Sequence, residues 1–264
     1  MRIALGIEYD GRHWCGWQSQ ACGCGVQDQF ENALAEVAGH TTRVHAAGRT
    51  DTGVHALIQV VHFDTTADRT LGAWVRGVNA FLPGSIRVRW AHPVSDEFHA
   101  RFSARQRSYQ YLLINQPVAP AILEGKAGWH HRPLDVDAMR IAASFLVGEH
   151  DFSAFRAAEC QAKSPIKHLH RADVTRNGDS LLFEFSASAF LHHQVRNMVG
   201  ALVFVGKGSF APEWMATLLE QKSRKLAPPT FSADGLYLTG VDYDEVWGLP
   251  ETQRGLDAFI LPLG

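Results

Sequence analysis

Residues 46–65 read AAGRTDTGVHALIQVVHFDT, a short polar loop followed at once by an apolar run. The run from His55 to Thr65 is rich in β-formers and predicts a buried strand. In the loop before it, Gly48 and Gly53 permit positive φ angles or the close approach of another segment. Asp51 lies between the two glycines, so the pattern predicts a carboxylate held at the edge of a sheet with little freedom. An Asp in a turn often only caps its own backbone, and the loop alone leaves that alternative open.

The segments around this stretch follow the order β-α-β-β-α-β. Apolar residues from Val26 to Val37 recur at helical spacing, and Pro83-Gly84 is a stop signal for a second helix. The predicted strands are 2–9, 42–46, 55–65 and 86–94, and the predicted helices are 26–38 and 70–81. That order is typical of the ferredoxin-like split unit.

The second half of the chain predicts the same order again. Asp135 is a suitable N-cap, and Asn177-Gly178-Asp179 is suited to a hairpin turn. The predicted strands are 108–115, 168–176, 181–188 and 236–243, and the helices are 136–147, 191–205 and an extra one at 212–220. We therefore predict an α+β protein with two ferredoxin-like βαββαβ halves. They form one extended, mainly antiparallel sheet with helices on one face and a basic cleft.

The two halves are predicted as separate domains. Residues 1–104 form the N-terminal half, which carries the Asp51 loop, and residues 105–264 form the C-terminal half with the extra helix and a C-terminal tail. A chain of 264 residues is long enough for either one large domain or two small ones.

The composition is that of an ordinary globular protein, with 46% apolar and 20% charged residues. No apolar run approaches the length of a membrane span. The N-terminal segment reaches Glu8 too early for a signal peptide, which predicts a cytoplasmic location and no membrane partner.

Basic residues cluster in three stretches although the formal net charge is −2. Each stretch alone is typical of solvated surface. Converging on one face, the three would create an electropositive cleft suited to nucleic acid. Their members are Arg101, Arg105 and Arg107; Lys163, Lys167, His168, His170 and Arg171; and Lys222, Arg224 and Lys225.

The four cysteines do not resemble a disulfide framework in a chain of this length. Cys15, Cys22 and Cys24 lie near His13, but Cys22-x-Cys24 lacks the usual two-to-four-residue spacer of zinc sites and no second pair follows. The spacing therefore predicts reduced, inert thiols and no metal site.

Five blocks of sequence together resemble one family. GRTDTGVHA (residues 48–56) resembles the signature loop of the tRNA pseudouridine synthase A family, in which this loop carries the catalytic aspartate. The other blocks follow in the family's order: FHARFSA (98–104) with RSYQY (107–111), HDFSAFR (150–156), FLHHQVRNMVGAL (190–202) and GLYLTGVDY (235–243). The fourth block departs from the family pattern, because His192 replaces an arginine and Gln194 a methionine.

The resemblance implies a reaction and a set of partners. It implies isomerisation of uridine to pseudouridine in the tRNA anticodon stem-loop, at tRNA positions 38, 39 and 40, by a homodimer whose tRNA crosses both subunits. An isomerisation needs no redox cofactor, and the sequence contains neither a dinucleotide fingerprint nor a phosphate-binding GxxxxGK[ST] loop.

The resemblance also assigns residues. Asp51 is the nucleophile or base, Arg196 its partner, and Tyr109 the ring that stacks on the target base. Arg49, two residues before Asp51, is interpreted as a contact to phosphate or to the displaced base. From the residues alone, Tyr109 and Tyr111 share one face of a strand and both fit a core role. Arg196 alone also fits an ordinary surface position on an apolar helix.

Two other classes of protein remain as alternatives. Ferredoxin-like sheets also occur in RNA-binding proteins without catalysis and in enzymes that act on small molecules. An intact Asp51 loop disfavours the first alternative, because a pure binder does not need that carboxylate. The basic stretches disfavour the second.

Overall fold

The computed structural model describes residues 1–258. Packing divides the chain into two compact units. Among the described residues, the first consists of Met1–Arg107 together with residues 237–258, and the second is Ser108–Leu236. The predicted division into ferredoxin-like halves at residues 1–104 and 105–264 stays a prediction.

The first unit is a sheet with two helices. Its strands are β1 (Arg2–Tyr9), β2 (His45–Ala46), β3 (His55–Asp64) and β4 (Ile86–Val94), joined by β10 (Leu236–Tyr243), and its helices are α1 (Val26–Ala38) and α2 (Leu71–Phe81). The strand order is β4–β1–β3–β10, and β2 pairs with β3. The pairs made by β1 and β2 are antiparallel, whereas β10 runs parallel to β3.

Local signals explain where the two helices begin and end. The Asp28 carboxylate accepts a hydrogen bond from the Gly25 backbone N–H at the start of α1, and α1 ends at Gly39 with a φ of 75°. The Thr70 hydroxyl caps α2 by accepting from the Ala73 N–H. The apolar faces of these helices form the core of the unit with the sheet, around Phe30, Leu34, Phe63 and Trp74, all with no exposed surface.

The second unit contains the remaining strands and helices. These are β5 (Ala104–Asn115, of which Ser108 onward belongs here), β6 (Gly128–His130), α3 (Val136–Ser144), β7 (Gly148–Asp151), β8 (Ile166–Asn177), β9 (Ser180–Ala187), α4 (Gln194–Gly206) and α5 (Trp214–Gln221). The strand order is β5–β9–β8–β7, and β6 pairs with β5. Pairs β8–β9 and β7–β8 are antiparallel, and β5–β6 is parallel.

The predicted α+β class with mainly antiparallel strand pairs is confirmed, and the two ferredoxin-like halves and the basic cleft stay predictions. Residues 1–258 form a mixed α+β structure with mostly antiparallel strand pairs and five α-helices. In this described part of the chain, no helix has both the length and the apolar character needed to cross a membrane. The bounds predicted for β1, α1 and β4 agree with the structure, and the hairpin turn lies at Asn177–Ser180, as expected.

Prediction and structure differ in several elements, for example β2, which is His45–Ala46 instead of 42–46, and α3, which ends at Ser144 instead of residue 147. The short strands β6 and β7 were not predicted, because three or four residues carry too little periodicity. Helix α4 begins at Gln194 instead of residue 191, since Leu191 to His193 form a turn. In that turn the Gln194 N–H donates to the Leu191 carbonyl and His193 has a φ of 63°.

Three histidines pack together beside the β2–β3 pair. The His62 ring lies 5.1 Å from the His45 ring and 4.6 Å from the His99 ring, between centroids. His62 is buried, and its Nδ1 accepts the Ala100 N–H at 3.1 Å, which requires an unprotonated Nδ1. Burial, with a smaller contribution from His99, lowers the pKa of His62 from 6.5 to about 4. Burial also lowers the pKa of His99.

We predict that the free energy of unfolding decreases as the pH falls from 6.5 to about 4. In that window the unfolded chain binds a proton at His62 and the folded protein does not, so protons favour unfolding. The loss should be on the order of 2 kcal/mol. Urea denaturation across this range should show a flatter dependence for His62→Asn, whose amide oxygen still accepts from Ala100. The exposed control His13→Asn should keep the wild-type slope, and equal slopes in all three proteins would contradict the assignment.

Candidate active site

The loop that carries Asp51 is anchored to β3 through backbone groups. The Ala47 N–H donates to the Val60 carbonyl at 2.9 Å. The Gln59 side chain has no exposed surface and bonds both backbone groups of Gly48. Its amide nitrogen donates to the Gly48 carbonyl at 2.6 Å, and its amide oxygen accepts the Gly48 N–H at 3.3 Å. Gln59 therefore fixes the loop immediately before Arg49.

Thr50 anchors the loop one residue further on. Its hydroxyl lies 2.8 Å from the Tyr9 hydroxyl, and its carbonyl accepts the Trp17 N–H at 3.0 Å. Burial raises the pKa of Tyr9, so its phenol stays neutral and available for this hydrogen bond. Because Thr50 is buried, its neighbours take the outer positions. Arg49 is exposed and Asp51 is half-buried.

Glycines close the turn around Asp51. Gly53 has a φ of 80°, and the Val54 N–H donates back to the Asp51 carbonyl at 3.1 Å. Gly16 has a φ of 89°, and a Cβ there would lie only 2.7 Å from the Thr50 carbonyl oxygen. The close approach of the 15–17 segment thus requires glycine. The result is a half-buried carboxylate on a rigid loop, an arrangement suited to a nucleophile or a base.

Arg107 braces the same loop from the RSYQY block. Its guanidinium donates to three carbonyl oxygens, those of Ala47 at 2.9 Å, Arg101 at 2.7 Å and Ala104 at 3.2 Å. Arg107 was expected in a basic stretch, and the structure instead gives it a role in positioning the loop backbone.

The two tyrosines of β5 have different surroundings within the second unit. Tyr111 has no exposed surface, donates its hydroxyl hydrogen to the Ser232 carbonyl at 3.1 Å and packs against Phe183 and Phe231. Tyr109 is 8% exposed, and its ring meets Phe190 edge-on at 5.2 Å. Tyr111 is therefore a core residue, and the base-stacking role of Tyr109 stays a prediction.

Arg196 lies in the first turn of α4 and is half-buried. Its Nε donates to the Phe231 carbonyl at 2.9 Å, and its own carbonyl accepts the Phe231 N–H at 3.3 Å. These bonds hold the Arg196 side chain in place, which is unlike a freely solvated surface arginine. Its role as partner of Asp51 stays a prediction.

The next residue, Asn197, joins three separate segments and was not predicted from the sequence. It has no exposed surface. Its amide nitrogen donates to the Phe155 carbonyl at 2.7 Å, and its amide oxygen accepts from Thr230 at 2.7 Å and from Arg224 at 3.1 Å. The signal in the sequence is an asparagine inside an otherwise apolar helix, and such a residue needs buried partners.

Gln194 and His192, the two residues of the fourth block that differ from the family pattern, have different environments. Gln194 has no exposed surface, and its amide oxygen accepts the Leu191 N–H at 2.8 Å, so it stabilises the turn before α4. Within residues 1–258 its amide nitrogen has no hydrogen-bond partner. His192 is exposed, and its carbonyl accepts the Ala157 N–H at 3.0 Å.

Several residues of the basic stretches are engaged inside their own unit. Arg224 donates to carbonyl oxygens of Ala227 and Pro228 as well as to Asn197, and burial lowers its pKa. Arg105 forms a 2.7 Å ion pair with Asp244. Lys163 and Lys225 are exposed. Convergence of the three stretches on one cleft stays a prediction.

The expectation of reduced, inert thiols was wrong for two of the four cysteines. Cys15 and Cys24 form a disulfide, and the Sγ atoms of Cys15, Cys22 and Cys24 all lie within 4.8 Å of one another. The spacing of the cysteines along the sequence did not show that Cys15 lies next to Cys24 in the fold. It does so because the Cys15 N–H donates to the Cys24 carbonyl at 2.9 Å.

Comparison with known proteins places the chain in a family. The model of the tRNA pseudouridine synthase family matches residues 6–103 and 142–244, which include the Asp51 loop and the first turn of α4. The chain belongs to this family.

Three similar relatives carry the name tRNA pseudouridine synthase A. The protein of Methylobacillus flagellatus is 66% identical over 97% of this chain and 98% of the relative. That of Dechloromonas aromatica is 60% identical over 95% and 96%. That of Thiobacillus denitrificans is 58% identical over 96% and 98%.

We predict that Gln59→Met destabilises the first unit by about 2–4 kcal/mol, because it leaves the N–H and the carbonyl of Gly48 without their partner. Methionine has a similar volume, so the change isolates the lost hydrogen bonds. Thermal and urea denaturation of the variant measure the effect. The matched control is Gln18→Met at an exposed position, which should stay within about 0.5 kcal/mol of wild type. A stable Gln59→Met protein would show that Gly48 finds other partners.

Proposed function

We propose that this protein isomerises uridine to pseudouridine in the tRNA anticodon stem-loop, at tRNA positions 38, 39 and 40. The observation that carries the proposal is the family match across an intact Asp51 loop, held by Gln59, Tyr9 and Trp17. The relatives' names support tRNA as the substrate.

Asp51 is the proposed nucleophile or base. The reaction breaks the N-glycosidic bond, turns the uracil and joins it to the ribose through carbon. That carbon loses its proton and the released ring nitrogen gains one, so the product is an isomer of the substrate. Carboxylates are ionised at neutral pH and are suited to either role. The rigid loop supports this assignment, because a catalytic group held in one geometry lowers the entropic cost of reaction. No redox cofactor and no metal enters this scheme.

Three further residues complete the proposed site. Arg196, whose side chain is held by Phe231, is the proposed partner of the Asp51 carboxylate. The exposed Arg49 contacts phosphate or the displaced base, since a target nucleotide in a stem must leave its stack to be reached. Tyr109 stacks on the target base.

The wider organisation is also proposed from the family resemblance. The strand order β4–β1–β3, with β2 beyond β3, supports a ferredoxin-like N-terminal half. We propose in addition a C-terminal half of the same kind, a basic cleft for tRNA, a cytoplasmic location and a homodimer.

The direct test is incubation of the purified protein with tRNA that lacks pseudouridine, followed by chemical mapping of the anticodon arm. Pseudouridine at position 38, 39 or 40 is the expected product. Tight tRNA binding without any product would favour the alternative of a non-catalytic RNA-binding protein.

Asp51→Asn and Asp51→Ala should abolish pseudouridine formation and change tRNA affinity by no more than a few-fold. Binding depends on many separate contacts, whereas the chemistry depends on one carboxylate. Single-turnover assays and filter binding measure the two effects separately. Asp68→Asn, at an exposed position of the same unit, is the matched control and should retain full activity. Substantial turnover by either Asp51 variant would remove Asp51 from its role.

Tyr109→Ala should weaken productive tRNA binding by about 1–3 kcal/mol, the contribution of stacking on one base. Tyr109→Phe keeps the ring and should keep that binding, and a loss of rate in this variant would indicate that the hydroxyl transfers a proton. Tyr111→Phe is the control, because it loses the bond to the Ser232 carbonyl in the core and should affect stability instead of substrate affinity. Wild-type activity in both Tyr109 variants would place this ring outside the site.

Binding of tRNA should weaken steeply as salt increases, because phosphate contacts release counterions. Lys163→Ala and Lys225→Ala, both at exposed positions, should each flatten the slope of log affinity against log salt by about one unit. Arg105→Ala should change the slope less, since Asp244 already neutralises that charge. A stretch whose variants leave affinity and slope unchanged does not contact tRNA.

A further inference from the structure

We propose that Cys15, Cys22 and Cys24, in their reduced form, constitute a binding site for one soft metal ion of the Zn²⁺ or Cd²⁺ type. The proposal starts from their geometry. The three Sγ atoms lie within 4.8 Å of one another, and the Sγ atoms of Cys22 and Cys24 are only 2.7 Å apart. A disulfide uses two sulfurs, so it does not account for the third.

The backbone brings the three sulfurs together. Gly23, between Cys22 and Cys24, has a φ of 70° and donates its N–H to the Gln20 carbonyl at 2.9 Å, which forms a tight turn. This turn brings two side chains separated by one residue to the same side. The bond from the Cys15 N–H to the Cys24 carbonyl then adds the third sulfur from another segment.

The donor set suits a thiophilic ion. Thiolates are the ligands that select zinc and other soft metals over magnesium or calcium. Three sulfurs at about 2.3 Å from one zinc ion stand about 3.8 Å apart, so the reduced side chains need to spread only by about an ångström. Cys15 and Cys22 are exposed and Cys24 is half-buried, so an ion reaches the site from solvent.

The site is connected to the Asp51 loop by hydrogen bonds. The segment that follows Cys15 includes Gly16, against which Thr50 packs, and Trp17, whose N–H donates to the Thr50 carbonyl at 3.0 Å. The Val26 N–H also donates to the Gly16 carbonyl at 3.0 Å. A bound ion would therefore restrain a segment that holds the loop, without any part in the chemistry.

The test uses the full-length protein after reduction by a phosphine. The phosphine gives two electrons to the Cys15–Cys24 disulfide, and water supplies two protons and the oxygen of the phosphine oxide. After removal of the phosphine under argon, Cd²⁺ is added stepwise and the sulfur-to-cadmium charge-transfer absorption is recorded. Each thiol that binds releases its proton, so the affinity should increase with pH. Zn²⁺ should displace Cd²⁺ competitively.

We expect saturation at one ion per chain. Cys15→Ser, Cys22→Ser and Cys24→Ser should each reduce the affinity at least about tenfold and lower the absorption. Cys160→Ser is the matched control and should bind like wild type, and circular dichroism checks that each variant is folded. Cys22→Ser is decisive, because it leaves the Cys15–Cys24 pair intact. Wild-type affinity in Cys22→Ser, or no charge-transfer absorption in the reduced wild-type protein, would overturn the proposal.

Discussion

The amide group of the buried Gln59 and the half-buried backbone of Gly48 satisfy each other's hydrogen bonds in the first unit. An unpaired amide in that position would cost about 1–3 kcal/mol, so β3 cannot be buried in this way unless the loop lies where it does. The burial of β3 and the position of the loop therefore depend on each other. Thr50 extends the same coupling to β1 through Tyr9, and to the cysteine segment through Trp17.

A second buried amide has a similar role at the start of α4. Asn197 connects α4 to Phe155 of the HDFSAFR block and to the 224–230 segment. Arg196 and Phe231, the neighbours of these anchored residues, then bond to each other through side chain and backbone. In each unit, a residue proposed to act on substrate is thus the direct neighbour in sequence of a buried polar residue. The polar groups of that buried residue form hydrogen bonds within the protein. The anchoring residue thereby fixes the backbone position of its neighbour in the sequence.

Periodicity was sufficient to predict β1, α1 and β4 with their bounds, because each has a continuous apolar face and clear end signals. It did not predict the turn before α4, which depends on the contact between Gln194 and Leu191. It also gave no sign that Cys15 meets Cys24, since that contact joins two segments through tertiary structure. The roles of Asp51, Tyr109 and Arg196 came from the family resemblance, because no pattern of spacing distinguishes a catalytic carboxylate from a turn-capping one. The role of Arg49 was interpreted from its position two residues before Asp51. Gln59 stands out in the sequence as an amide within an apolar strand, which indicates that it needs a buried partner. The sequence does not indicate which residue that partner is, because it lies outside the strand.

In the loop, buried and less buried residues alternate. This pattern meets two opposing requirements of a catalytic carboxylate. It must be fixed, which favours burial, and it must remain ionised and accessible to substrate, which favours exposure. Here Thr50 is buried and bonded through both its hydroxyl and its carbonyl, and Asp51 is therefore fixed through the chain without being enclosed itself. Gly53 then turns the chain into β3 within two residues, so the anchored positions lie on both sides of the carboxylate. A longer or more polar connection to the strand would leave Asp51 equally exposed but free to move.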